Sequence, residues 1–391
     1  MKILFLSRWF PYPPSNGSKL RIYNLLYGLA QKHEVTLLSF VEQSEKFDAK
    51  IVESICQKVQ TVTRKPFNPN SLQARLGFFS LKPRSVINTF SPEMKQCIEQ
   101  TLASDHYDVV IASQFDMAVY SHYFNHIPAI FEEVEVGVLY ESSVQAISPW
   151  HSFRNGLTWA KHRKYLNSLL KKFQVCTVVS NQEHQLLSQT GNGSPPIEII
   201  PNCVDVTSYK DFRGIPQPNS LIFTGSFNYY PNYEAMYWFL DKVYPYIQTQ
   251  VPDVSLTITG DPANCSLPPH NNVTQTGFVD DVRPFIANAW GSVVPIHMGG
   301  GTRLKILEAM ALGTPVVATS KGAEGLDIQP DKHILIADTP EDFAQQVIRL
   351  LKDQDLRQHI TNNAYNLVSE RYNWPVVLPQ FLELIDQAVK S

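Results

Sequence analysis

The sequence has 391 residues and a formal net charge of −3 at pH 7, with 43% hydrophobic and 18% charged residues. At roughly 150 residues per domain, this length predicts about two domains, each long enough to bury its own core. The composition excludes a largely disordered chain, and the balanced charge gives no overall basic field for nucleic acid.

The cysteines are widely spaced and never form Cys-x-x-Cys; they are Cys56, Cys97, Cys176, Cys203 and Cys265. We interpret them as reduced packing residues. The apolar run at residues 2–7 is too short for the core of a signal peptide, and no apolar run reaches the ~18 residues of a membrane span. The expected compartment is the cytoplasm.

The first half of the sequence alternates between strand and helix patterns. Residues 2–7 predict a buried strand, residues 22–29 carry leucine and isoleucine at helical spacing, and residues 33–39 give a second strand, which completes a βαβ unit. Further strands are predicted at 107–113, 127–135, 175–180 and 197–205. We therefore expect an α/β, Rossmann-like domain over residues 1–205. The loop after the first strand lacks Gly-x-Gly-x-x-Gly, which argues against a dehydrogenase-type dinucleotide site.

Acidic residues cluster at the end of the strand predicted at 127–135. Glu132, Glu133 and Glu135 would be costly to bury there unless water or a ligand contacts them. Two interpretations stay open: Glu132 or Glu135 binds a hydroxyl of an acceptor, or the carboxylates are solvated loop residues.

Two stretches combine basic and apolar residues. Residues 154–172 carry six lysines and arginines among leucines and Trp159, and residues 75–84 carry Arg75, Lys82 and Arg84 among phenylalanines and leucines. Such a pattern fits contact with an anionic membrane or a lipid-diphosphate acceptor, which for 154–172 would mean peripheral contact at the inner membrane surface. It fits equally a helix with one face in the core and a solvated charged face.

The second half begins after a linker at residues 211–219, which contains Gly214, Pro216 and Pro218. Strands are predicted at 220–227, 254–260 and 273–279. Gly260 at a strand end indicates a close approach of the backbone to a ligand. We expect a second Rossmann-like domain over residues 206–372 and a terminal helix over 373–391, which in such folds packs back onto the first domain.

The most informative part of the sequence runs from Gly299 to Ala318 and reads GGGTRLKILEAMALGTPVVA. Three glycines let the backbone turn tightly and leave the N–H groups of Gly300 and Gly301 open to an anion. Thr302 can cap the following helix, and the helix dipole, Arg303 and Lys305 add positive potential. The pattern predicts a phosphate site. Glu308 follows Lys305 at i, i+3 spacing, where a carboxylate can accept hydrogen bonds from a ribose diol.

This string resembles the donor-binding helix of family 4 retaining glycosyltransferases, which carries Leu-Glu-Ala-Met-Ala-x-Gly-x-Pro-Val-Val-Ala. Residues 200–205 also resemble that family's Ile-Pro-Asn-Gly-Val-Asp segment, with Cys203 in place of glycine. The resemblance implies a GT-B fold, in which two doubly wound, Rossmann-like domains face an interdomain cleft. It further implies that the second domain binds a nucleoside-diphosphate sugar and the first domain the acceptor.

The resemblance also implies contacts at other positions. Gly17 would face the donor diphosphate or the acceptor. Gln114 is the nearest match to a histidine that many members place near the reacting sugar, so no catalytic histidine is carried over. The remaining cleft positions implied on the donor side are Gly225, Ser226, Gly260, Gly277, Phe278 and Val279.

This sequence departs from the family pattern at two places. Gly300 stands where the family has its first glutamate, so the identity of the donor sugar cannot be transferred from the family. Ser226 and Asn228 stand where many members have arginine and lysine, so binding of the diphosphate shifts to Arg303 and Lys305.

No metal site is predicted, because the only Asp-x-Asp, at 353–355, fits helix capping. No cofactor is expected either, because the nucleotide sugar is a substrate. The sequence thus predicts a retaining, hexosyl-transferring glycosyltransferase whose acceptor is a glycan, a lipid-linked molecule or a small molecule; no catalytic residue is assigned. The alternatives are a nucleotide-sugar epimerase on the same fold and a non-catalytic module that binds sugar nucleotides or glycans.

Overall fold

The computed structural model describes residues 1–43, 47–68, 70–72, 77–137, 140–141, 149–190, 195–210, 212, 214–300 and 303–390. The chain divides into two compact units. The first unit consists of Met1–Pro201 with Leu378–Ser391, and the second of Asn202–Val377.

The first unit contains a seven-stranded parallel sheet with the order β3-β2-β1-β4-β5-β6-β7. Its strands are β1 (Lys2–Ser7), β2 (Glu34–Val41), β3 (Lys58–Thr63), β4 (Val109–Ser113), β5 (Ala129–Glu132), β6 (Val175–Val178) and β7 (Ile197–Ile199). The central strands are buried on both faces, which is why they read as continuous apolar runs. The strand predicted at 127–135 is shorter in the structure, because β5 ends at Glu132. Glu133 and Glu135 therefore follow the strand instead of belonging to it.

The helices of the first unit are α1 (Gly17–Ala30), α2 (Ala49–Glu53), α3 (Arg84–Thr89), α4 (Pro92–Ser104), α5 (Phe115–Ala118), α6 (Pro149–Leu170) and α7 (Asn181–Thr190), with 3₁₀ turns at Gly77–Phe79 and Ser121–Tyr123. Asn16 caps α1, since its side chain accepts a hydrogen bond from the Lys19 N–H at 3.0 Å. Helix α15 (Trp374–Lys390) adds its residues from Leu378 onward to this unit. There Leu378 packs directly against Gly28 of α1, where a Cβ would lie 2.1 Å from Leu378 Cδ2.

The second unit contains a six-stranded parallel sheet with the order β10-β9-β8-β11-β12-β13. Its strands are β8 (Gln217–Thr224), β9 (Ser255–Thr259), β10 (Val273–Gly277), β11 (Ala289–Val294), β12 (Val316–Ala318) and β13 (Leu335–Ile336). Its helices are α8 (Val206–Tyr209), α9 (Tyr230–Trp238), α10 (Tyr244–Gln250), α11 (Arg283–Ala287), α12 (Leu304–Ala311), α13 (Pro340–Lys352) and α14 (Gln354–Arg371). A π-helical turn at Phe239–Val243 joins α9 to α10.

Helix α12 follows the glycine-rich loop and packs on the core of the second unit through Ile306, Leu307 and Met310. The residue at its N-cap position is Arg303, which makes no side-chain capping bond. Thr302, which the sequence predicts to cap this helix, lies outside the described residues. Asp353 caps α14, as expected, by accepting a hydrogen bond from the Leu356 N–H at 2.8 Å.

Among the described residues, none of the helices combines the length and the apolar character that a bilayer crossing requires. In the same part of the chain, no group of three or more histidine, cysteine, aspartate or glutamate side chains is arranged to hold a metal ion.

Candidate functional site

The strand order of the second sheet reverses between β8 and β11, and this is where ligands bind in open parallel sheets, just beyond the carboxyl ends of the strands. Gly225 and Ser226 follow β8 at this point, and the loop that leads to Gly300 follows β11. Gly225 has φ +149°, and a Cβ there would lie 2.6 Å from Asn232 Nδ2 and 3.0 Å from Lys305 Nζ. The ends of the Asn232 and Lys305 side chains therefore lie directly against the backbone of Gly225, where a larger residue would displace them.

Gly260 follows β9, has φ +123° and packs against the loop after β8. A Cβ on Gly260 would lie 2.6 Å from the carbonyl carbon of Gly225 and 2.8 Å from the Ser226 nitrogen. The backbone of Gly225 and Ser226 thus lies directly against Gly260, and the approach of a ligand to Gly260 stays a prediction. A larger residue at position 260 would push the loop after β8 out of its place.

Lys305 reaches the switch point from the first turn of α12. Its Nζ donates to Asn232 Oδ1 at 2.8 Å and lies 4.2 Å from the centroid of the Phe223 ring. Burial and, secondarily, the charge of Arg303 lower the pKa of Lys305 to about 7, against the opposing effect of Glu308. A phosphate oxygen would restore the charged ammonium.

Asn232 was not predicted from the sequence, although it organises this site. It is buried in the first turn of α9, where its Nδ2 donates to the Ser226 carbonyl at 2.8 Å while its Oδ1 accepts from Lys305. One side chain therefore connects the loop after β8 to α12. The available signal was a polar residue at a helix position where the neighbouring Ala235 and Met236 are apolar and buried.

Arg303 is directed towards the glycine-rich loop itself. Its Nη1 donates to the Gly300 carbonyl at 2.9 Å and its Nη2 to the Gly299 carbonyl at 2.6 Å, while its Nε has no hydrogen-bond partner among the described residues. These bonds fix the direction of two loop carbonyls. Direct contact between Arg303 and a diphosphate remains a prediction, as does any role of Gly301 and Thr302, which lie outside the described residues.

Glu308 lies one turn beyond Lys305 on α12. Its Oε1 is 3.5 Å from the Tyr209 hydroxyl, and burial raises its pKa to about 7 although Lys305 opposes the shift. Both side chains keep partial solvent exposure but are densely surrounded by protein atoms, which explains these pKa values. The carboxylate predicted to bind ribose is thus partly open to solvent and lies beside an aromatic ring.

The segment 277–279, whose residues are predicted to line the cleft on the donor side, leads into a cluster around Arg283. Arg283 makes two bonds of 2.9 Å to Asp281, lies over the Phe212 ring at 4.0 Å and faces the Tyr209 ring at 5.8 Å. Tyr209 connects this cluster to Glu308. Sequence reasoning missed Tyr209 and Arg283, which are 99 and 25 positions from Glu308 in the chain.

In the first unit, the strand order reverses between β1 and β4, and a polar network lies at the carboxyl ends of β4 and β5. Gln114, with φ +66°, donates from Nε2 to Glu133 Oε2 at 2.7 Å and to Ser18 Oγ at 3.1 Å. Glu133 has φ +55° and is buried, and burial followed by the charge of Glu132 raises its pKa. Strained backbone at two adjacent strand ends is typical of functional sites.

Glu132 is fully buried and bonded within the first unit. One oxygen accepts from Arg21 Nε at 2.6 Å and the other from Ser113 Oγ at 2.6 Å. Glu135 is exposed. Gly17 is the first residue of α1, next to the Ser18 that contacts Gln114. The structure thus brings Gln114 together with Ser18, which follows Gly17, and with Glu133, which follows Glu132. Contacts of Gly17, Gln114, Glu132 and Glu135 with an acceptor remain predictions.

Helix α6 contains most of the basic stretch at 154–172. Its Leu166, Leu169 and Leu170 pack in the core of the first unit, and Trp159 packs against that core. The lysines and arginines lie on the remaining faces, with Arg163 and Lys164 exposed. The apolar face is therefore occupied by the protein itself, and a membrane contact through 154–172 remains a prediction.

Known proteins resemble this chain over its whole length. The model for glycosyltransferase family 4 matches residues 15–208, and the model for glycosyl transferases group 1 matches residues 218–353. The chain is 23% identical over 393 residues to an uncharacterised 44.6 kDa protein of the cps region of Klebsiella pneumoniae, covering 95% of this chain and 96% of that protein.

Two solved structures share the fold. Sucrose-phosphate synthase from Thermosynechococcus elongatus matches with a TM-score of 0.69 at 16% identity, over 99% of this chain and 98% of the other. The Anabaena protein HepE in complex with UDP-glucose matches with a TM-score of 0.66 at 16% identity, over 99% of this chain and 100% of the other.

Two parallel, doubly wound units of this kind form the GT-B fold, as expected from the sequence. Within this class, the two family models together account for both units. The chain belongs to the family 4, group 1 glycosyltransferases.

Proposed function

We propose that this protein transfers a hexosyl group from a nucleoside-diphosphate sugar to a glycan, a lipid-linked molecule or a small molecule, with retention of the anomeric configuration. The observation that carries the proposal is the position of Lys305. Its ammonium lies at the switch point of the second sheet, beside the loop of Gly225 and one turn before Glu308. The binding of UDP-glucose by HepE, a protein of the same fold, supports a nucleotide-sugar donor.

In this proposal, positive charge on α12 stabilises the diphosphate that leaves the sugar. Lys305 donates to the diphosphate, Arg303 holds the glycine-rich loop and adds charge, and the N-terminus of α12 adds its dipole. No metal ion or cofactor supplies this charge. Glu308 orients the donor by accepting hydrogen bonds from the ribose, and the aromatic Tyr209 supports that end of the site.

The acceptor side of the proposal lies in the first unit. Glu133 and Gln114 present polar groups at the carboxyl edge of its sheet, where an acceptor hydroxyl can bond to them. Glu133→Gln should therefore lower the rate of transfer and raise the KM for the acceptor, while the Kd of the donor measured by calorimetry stays the same.

The test is a panel of nucleotide sugars, first in calorimetric titration and then with glycan, lipid-linked and small-molecule acceptors. Transfer with an unchanged anomeric configuration, read from the NMR coupling of the product, supports the proposal. An isomerised nucleotide sugar with no transfer would instead indicate an epimerase. Tight donor binding with no transfer to any acceptor class would indicate a binding module.

A further inference from the structure

A patch of exposed apolar side chains lies on the first unit, between the 3₁₀ turn Gly77–Phe79 and α3. Phe79 is 87% exposed and Leu81 is 76% exposed. A single exposed leucine needs no explanation, but two large apolar side chains so close together in sequence, next to a pocket, indicate an interaction surface.

The turn packs on the wall of that pocket. A Cβ on Gly77 would lie 3.3 Å from Ile87 Cδ1, so the turn rests on α3, and Ile87 also lines a pocket of about 300 Å³. Val86, Phe90 and Tyr165 give this pocket apolar walls, and Lys82 and His122 line it with basic groups. Its volume is at the lower end of the ~300–1,000 Å³ range of ligand pockets.

The charge around the pocket is positive. The pKa of His122 is lowered first by burial and then by Lys172 and Lys82, and the pKa of Lys172 is lowered by burial and then by Lys82. These three basic groups therefore lie near one another, and the neighbouring charges that act on His122 and Lys172 are positive. An anionic partner would relieve this repulsion.

We propose that this patch, defined by Phe79, Leu81, Lys82, His122, Lys172 and the pocket, docks the protein on a bilayer that contains anionic phospholipid. Phe79 and Leu81 enter the interface between headgroups and acyl chains, and the basic groups contact lipid phosphates. A stable protein dimer needs about 800 Å² from each partner. Two exposed apolar side chains beside a small basic pocket offer much less area than that, so they fit a lipid surface better than they fit an interface with a second copy of this chain.

This inference goes beyond transfer itself and assigns the membrane contact to residues other than the exposed face of α6. It does not rest on the proposed function, because the donor-binding residues belong to the second unit. Differential scanning calorimetry without ligand checks that each variant of the patch remains folded.

The experiment is co-sedimentation of the full chain with vesicles of phosphatidylglycerol mixed with phosphatidylcholine, and with vesicles of phosphatidylcholine alone. The wild type should bind the mixed vesicles, and rising salt should weaken that binding. The affinity of the Phe79→Ser/Leu81→Ser variant for the mixed vesicles should be lower by at least about tenfold. Lys82→Glu should bind roughly thirtyfold less, since two units of charge change at the surface.

Matched controls exist on the same chain. Ile215→Ser removes an apolar side chain that is 79% exposed in the second unit, and Lys32→Glu reverses an exposed charge in the first unit. Both controls should bind the mixed vesicles as the wild type does.

Several outcomes overturn the proposal. Absence of wild-type binding to the mixed vesicles, equal binding to phosphatidylcholine alone, or undiminished binding of the double variant would each do so. A dimer in light scattering that only the Phe79→Ser/Leu81→Ser variant abolishes, without any binding to vesicles, would assign the patch to a second copy of this chain.

Discussion

Donor binding should depend on pH through two side chains of α12. The pKa values of Lys305 and Glu308 are both about 7, the first lowered and the second raised mainly by burial. The diphosphate requires the ammonium of Lys305, which is lost as the pH rises through 7. Ribose hydroxyls require the carboxylate of Glu308, which is lost as the pH falls through 7. Affinity for a nucleotide sugar should therefore be highest near pH 7 and decrease on both sides.

The size of the effect follows from these pKa values. Each pH unit beyond the pKa adds about 1.4 kcal/mol to the cost of restoring the required form, which is roughly a tenfold loss of affinity. The loss ends when the bond itself is gone, and a charge-assisted hydrogen bond contributes roughly 1.5–3 kcal/mol. Each side of the profile should thus fall by a total of about ten- to a hundredfold.

Each variant should remove one side of the profile. Lys305→Gln should bind about ten- to a hundredfold more weakly at pH 7 and lose the decrease at alkaline pH. Because the Lys305 charge lowers the pKa of Glu308, the acidic decrease of this variant should move to higher pH. Glu308→Gln should lose the acidic decrease. Lys352→Gln, an exposed lysine of the second unit, is the matched control and should keep the wild-type profile.

Calorimetric titration with the best nucleotide sugar of the panel measures these affinities across the pH range around 7. A nucleotide sugar is preferable to a free diphosphate, whose terminal phosphate itself titrates in this range. A flat wild-type profile, or an alkaline decrease that persists in Lys305→Gln, would refute the assignment of Lys305 to the diphosphate.

Gly260→Ala should weaken donor binding in calorimetric titration, because the new Cβ would displace the loop of Gly225. In Gly277→Ala the new Cβ would meet open space, so the free energy of unfolding should fall only by the ~1–2 kcal/mol that a positive φ costs, as thermal unfolding measures. Arg21→Met leaves Glu132 buried without its cation and should lower the free energy of unfolding in urea by about 3–5 kcal/mol, part of which Arg21→Met/Glu132→Leu should recover. Glu308→Gln should lower transfer about ten- to a hundredfold with little change in melting temperature; a large fall in melting temperature would make Glu308 a structural residue.

The fold and helix α12 could be predicted because their signals are local. Ile306, Leu307 and Met310 recur at helical spacing, Gly313 ends the run, and a short buried strand follows. The parallel strands could be predicted for a similar reason, since burial on both faces requires apolar runs. Strand ends were less certain, as β5 shows by stopping at Glu132.

Contacts between distant parts of the chain could not be predicted in the same way. Asn232 lies 73 positions from Lys305, and Arg21 lies 111 positions from Glu132. Arg21 lies on a buried face of α1. Nothing in the sequence around Arg21 indicates that its partner is Glu132, at the end of β5. The acidic cluster was visible in the sequence, but only the packed fold distinguishes the paired Glu132 from Glu133 and from the exposed Glu135.

The absence of a glutamate at position 300 has a structural counterpart in Arg303. The guanidinium donates to the carbonyls of Gly299 and Gly300, so a cation lies against the backbone of this loop. Arg303 also contributes to the lowered pKa of Lys305, which means that positive charge accumulates at the start of α12. In the proposed function, such a site gains affinity for the diphosphate through charge. We expect neutral groups of the loop to discriminate between donor sugars, so loop substitutions should change the preference among nucleotide sugars in calorimetric titration and leave the Kd of the free nucleoside diphosphate unchanged.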